Sequence, residues 1–177
     1  MKGRRLGRMA LFAAFALMIA LPIYQAFGAL QGSKPHGDAR KLLYEVAVFQ
    51  MDNLSGIWQE AANARNSNGL NALKEAGYAA SFTHQRLTEA FGEASMPPLQ
   101  SLDKLMQVII GLQIGGDRAL SERDRQRLEA SGQAYGELSD AYRKLLSDGG
   151  TLVDSERDKV IELDEAASEA LDGKGGE

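Results

Sequence analysis

Apolar side chains recur along most of this chain at alternating steps of three and four, the period of a helix that buries one face. Five segments carry the pattern. The first, from about Asp38 to Arg65, has the seam Leu43, Ala47, Gln50, Leu54, Ile57 and Ala61, with Leu42 and Val46 beside it, and stops in the polar turn NSNG. The second, Leu70 to about Glu93, has Leu70, Leu73, Gly77, Ala80, His84, Leu87 and Phe91, and ends ahead of Pro97-Pro98. The third, Pro98 to Ile114, is apolar around most of its circumference, which predicts a central helix packed on several sides.

The fourth opens at Ser121-Glu122-Arg123-Asp124, a capping-box pattern, and has the seam Leu128, Ser131, Tyr135, Leu138, Tyr142 and Leu145. The fifth opens near Asp154 and carries Val160, Leu163, Ala167 and Leu171. The tetrapeptide SERD occurs at 121–124 and again at 155–158. Beyond it the hydrophobic phase is lost, so it reads as one cap used twice and not as a repeat fold. No stretch alternates as a strand would. The expected fold class is all-α: an N-terminal signal or anchor helix, then an antiparallel bundle of four to five helices over 38–172. Residues 31–37 form a polar linker and 173–177 a disordered tail.

Before the linker the pattern changes. From Met9 to Tyr24 no side chain is charged or strongly polar, and Lys2, Arg4, Arg5 and Arg8 stand immediately ahead. A basic stretch followed by an apolar one is the build of an export signal. Ala26 and Gly28 put small residues at −3 and −1 of a cut before Ala29. Counted to Leu30 the stretch is 22 residues, and about 20 span a bilayer core. The anchor is preferred, since Gly suits −1 less well than Ala. Both readings place the basic end in the cytoplasm and the remaining chain outside it. The expected location is therefore a single-pass membrane protein with an external C-terminal domain; the alternative is a protein secreted after cleavage. The bilayer is a partner through residues 9–30 if the segment is kept.

Charge sharpens this division. Residues 1–33 hold four basic side chains and no acid, 34–116 seven and eight, and 117–177 nine and sixteen. The total is −4, with no basic footprint for nucleic acid. The acids of the last third alternate with arginines, as on solvated helix faces. There is no Cys, hence no disulfide, thiolate metal site or thiol nucleophile.

Few residues are left to carry chemistry. His84 is the one His within a predicted helix, on an apolar seam, where it either ligates something or is a satisfied core residue; no Glu-x-x-His accompanies it. Gln50 and Asn53 fall on the inward face of the first helix. They either fix register or share a pocket with His84. Tyr78 and Phe82 lie roughly opposite the second seam, a partner surface if exposed and plain core if another helix covers them. Gly132 and Gly136 permit close backbone approach. Walker, dinucleotide, nucleophile-elbow and H-E-x-x-H motifs are all missing. The sequence therefore assigns no catalytic residue, cofactor or metal. It points to a non-catalytic bundle acting through protein or envelope contacts, or alternatively to a ligand-binding sensory bundle signalling through a separate partner chain.

Overall fold

The computed structural model describes residues 35–173. The apolar run Met9–Leu30 and the residues after 173 lie outside that range. Five α-helices follow one another: α1 (Pro35–Ala61), α2 (Asn71–Phe91), α3 (Gln100–Gln113), α4 (Glu122–Tyr142) and α5 (Asp154–Asp172), with a short 3-10 turn at Ser67–Leu70. Among the described residues there is no strand, only two isolated bridges, and the architecture is that of a helical bundle.

Pro35 opens α1, a position where its missing N–H costs nothing. The helix thus starts ahead of the Asp38 expected from pattern and takes in His36. Its seam is also rotated. The buried residues are Tyr44, Ala47, Met51, Leu54, Trp58 and Ala61, while Leu43, Gln50 and Ile57 sit half-buried at the edge. Turning the helix by about half a residue step keeps Ala47, Leu54 and Ala61 inside and buries Trp58, Tyr44 and Met51, which hide more apolar area than Leu43 and Ile57. It also leaves the Gln50 amide near water.

The α4 seam holds at every position from Leu128 to Leu145. It meets α1 heptad by heptad in opposite directions. The Trp58 indole N–H donates to the Leu128 carbonyl at 3.0 Å, the Tyr135 hydroxyl lies 2.8 Å from Met51 Sδ, and the Tyr44 hydroxyl donates to the Tyr142 carbonyl at 2.7 Å. Trp58 stacks on Tyr135 with ring centroids 4.9 Å apart. Gly132 makes room for this: a Cβ there would lie 2.9 Å from Trp58 Cδ1.

Helix α2 runs antiparallel to α3, as contacts from Lys74 to Gln113 and from His84 to Pro97 require. Helix α3 lies parallel to α5, with Gln100 bonded to Asp164 and Lys104 to Asp172. Helix α3 is not a fully enclosed central helix. Leu102, Leu105, Ile109 and Leu112 are buried, but Ile110 and Ile114 stay exposed. Its apolar circumference is wider than the face its neighbours cover.

The two SERD tetrapeptides part company. Ser121 forms a complete capping box with Asp124 at the start of α4. Ser155 lies inside α5, whose N-cap is Val153 and makes no side-chain bond. The shared tetrapeptide is not a shared cap.

At one end of the bundle the α1–α2 and α3–α4 connections are tied together. Ser67 N donates to the Arg118 carbonyl at 2.9 Å, and Leu120 N to that of Arg65 at 3.0 Å. Asp117 accepts from the Asn66 amide at 3.0 Å and from Asn68 N at 3.2 Å.

Candidate functional site

His84 sits in the middle of the α2 seam, 3% exposed. Its Nε2 lies 2.9 Å from the Pro97 carbonyl, which can only accept, so that nitrogen carries the proton. Nδ1 is then the acceptor, and the Tyr142 hydroxyl donates to it at 3.0 Å. Burial holds the His84 pKa below the ordinary histidine value, and the Pro97 carbonyl pulls it partly back. Burial likewise drives the Tyr142 and Tyr44 hydroxyls upward. Tyr44 closes the chain, accepting from Leu146 N at 3.2 Å while donating to the Tyr142 carbonyl.

This buried chain joins α1, α2, α4, the α2–α3 connection and the segment after α4. The His84 bonds and the Tyr44 bonds meet only through Tyr142, whose hydroxyl serves His84 and whose backbone carbonyl serves Tyr44, and neither His84 nitrogen is left for a substrate or an ion. Chemically it is a tether. His84 also borders a cleft of about 310 Å³ with Ser81, Gln85, Thr88, Glu89 and Asp103.

Gln50 and Asn53 do not join it. Gln50 is half-buried, Asn53 is exposed, and neither lines the cleft that His84 borders. A three-residue pocket is therefore not assembled. The rotation of α1 explains this, since it moves position 50 to the edge and 53 to the outside.

Tyr78 and Phe82 are not covered by another helix. They are 67% and 52% exposed on the outer face of α2, with the Arg86 guanidinium 5.0 Å above the Phe82 ring. Leu42, Val46 and Phe49 form a second exposed apolar stripe, on α1.

A polar site that the hydrophobic pattern hides lies at the start of α3. Its N-cap is Leu99, which offers no side-chain acceptor. Asp164 of α5 supplies the acceptor instead, taking Gln100 N at 2.8 Å, Ser101 N at 3.0 Å and the Ser101 hydroxyl. Burial raises the Asp164 pKa, and these donors offset only part of that rise. The signal in the sequence was an uncapped helix start after Pro97-Pro98, paired with an acid at a seam step from Val160. Its carboxylate already fills the α3 N-terminus, although a cleft of about 520 Å³ opens beside it between α3 and α5.

Among the described residues no group of three or more His or acidic side chains converges as a metal ion would need, and no helix is long and apolar enough to cross a membrane. Comparison with protein-family models, with curated proteins and with solved structures finds no match to this chain.

Proposed function

We propose that this chain is an extracytoplasmic helical bundle, held at the membrane by residues 9–30 or released by cleavage before Ala29, that acts through contacts with proteins or other envelope components and not through catalysis. The observation that carries this reading is the exposed Tyr78–Phe82 pair. Two aromatic rings one helical turn apart, more than half in water, cost solubility and gain nothing for the bundle core. A surface that buries them recovers that area. The engagement of both His84 nitrogens by the protein's own groups supports the non-catalytic half. The basic cluster ahead of Met9 supports the location.

The native chain has no Cys, so a photo-crosslinker on Gln85→Cys, exposed on the same face of α2 and beside both rings, reads this surface in intact envelopes. A discrete adduct is expected, reduced at least several-fold by Tyr78→Asp and absent from a probe on Glu137→Cys. Equal labelling at Glu137→Cys, or no adduct at Gln85→Cys, rejects the reading.

A further inference from the structure

The cleft of about 520 Å³ beside the α3 N-terminus has walls of three kinds. Its volume falls within the roughly 300–1,000 Å³ of small-molecule sites. Pro97, Pro98, Leu99 and the exposed Ile161 make one end apolar. Asp164 and Ser168, one turn apart on α5, form the inner wall and are 6% and 9% exposed. Glu165 and Glu169 stand beside them on the exposed rim. Lys104, the one basic side chain lining the cleft among the described residues, is held by Asp172 at the far end.

The inner wall has acceptors to spare. Asp164 Oδ1 takes Ser101 N and the Ser101 hydroxyl, but Oδ2 takes only Gln100 N and keeps a lone pair. The Ser168 hydroxyl makes no hydrogen bond among the described residues, whereas that of Ser131 on α4 returns to the Arg127 carbonyl at 2.7 Å. Nor is the Ser168 oxygen sealed in the core, because among the described residues the one enclosed side-chain atom without a partner is Glu156 Oε2. It therefore opens into the cleft, where a donor would satisfy it. Glu165 and Glu169 form no ion pair among the described residues, and no basic residue stands three or four positions from either along α5.

We propose that this cleft binds a linear aliphatic diamine or polyamine. One ammonium donates to Asp164 Oδ2 and Ser168 Oγ, a second is held by Glu165 and Glu169 at the rim, and the methylene stem packs on Ile161 and Pro98. Charge decides the sign of the ligand. Once Lys104 and Asp172 cancel, three carboxylates remain. An anion is further excluded because Asp164 already occupies the α3 N-terminus. The layout decides the shape. Among the described residues no three acids converge as a metal ion needs, and the apolar end offers a hydrated ion nothing. An ammonium brings three donors and no acceptor, which suits a wall whose free groups accept. The site does not depend on where the chain resides.

The full-length chain in detergent, titrated calorimetrically with putrescine and with spermidine at physiological salt, provides the test. Saturable binding at one site is expected. Glu165→Gln combined with Glu169→Gln, both at exposed positions, should weaken it roughly tenfold, and Ser168→Ala roughly threefold. Glu137→Gln, on α4, should leave it unchanged. No saturable heat with either amine overturns the site, as does wild-type affinity in the double variant and in Ser168→Ala. Equal weakening by Glu137→Gln does the same, since it marks attraction to the acidic surface at large. Butanediol binding as well as putrescine would show that the stem and not the charge is recognised, and calcium displacing spermidine at equal charge would mark a point-cation site; either result overturns the proposal. An oligolysine peptide that binds where the free amines do not assigns the acids to a protein partner and overturns it too.

Discussion

A methyl group added at Gly132 meets the Trp58 ring at 2.9 Å, closer than carbon atoms pack. Trp58 cannot swing aside, because it is fully buried, stacked on Tyr135 and bonded to the Leu128 carbonyl. Alanine gains about 1 kcal/mol over glycine in helix propensity, but forced overpacking costs about 1–3 kcal/mol. Gly132→Ala is therefore expected to lower the urea midpoint, and Gly111→Ala, with open space around it, to raise it. Equal shifts in the two variants would show that α1 does not approach α4 at this glycine. The pair Gly132 and Gly136 was legible as a place of close approach. The side chain that exploits it was not, since nothing local to Trp58 names its partner on a helix 70 residues away.

At the scale of elements, capping divides into local and tertiary solutions. Ser121 caps α4 with groups three residues apart, a pattern visible in the letters. Helix α3 begins behind two prolines at a leucine and borrows its acceptor from α5. Asp164→Ala leaves two backbone N–H groups and the Ser101 hydroxyl without that acceptor, and the expected loss is about 3 kcal/mol. Asp164→Asn, which keeps one acceptor oxygen, should lose roughly half of that. Hydrogen exchange at Gln100 and Ser101 should accelerate in Asp164→Ala more than exchange in α4. Uniform acceleration would show that the carboxylate stabilises the bundle at large and not this helix start. The helix seams were readable for α2 and α4, where apolar residues and burial share one period. In α1 two overlapping seams compete, and local pattern alone does not say which one faces inward.

At the scale of the whole molecule, the His84 chain couples stability to pH. In the folded protein His84 is neutral, accepting from Tyr142 and donating to Pro97, with its pKa held below the ordinary 6.5. Unfolding returns it to that value, so the unfolded chain takes up a proton first as pH falls. The stabilisation is complete above about pH 6.5 and erodes as pH drops toward the folded value, by up to about 1.4 kcal/mol per pH unit. Below the folded value this group adds no further slope. Chemical denaturation of wild type against His84→Gln should diverge in that window, with the variant less stable at neutral pH yet less sensitive to acid. Parallel curves would mean that His84 is protonated in the fold and that its hydrogen bonds run differently.

The sequence by itself determined that residues 38–172 are helical and roughly where the helices lie, and that a basic cluster and an apolar run stand ahead of them. Each of these depends on neighbours within a turn or two along the chain. Tertiary structure decided which α1 seam is buried, that Asp164 caps α3, that Gln50 and Asn53 stay apart from His84, and that Tyr78 and Phe82 face outward. Those outcomes turn on how large side chains from distant segments fill a shared interior, and periodicity within one segment carries no information about what occupies the space opposite.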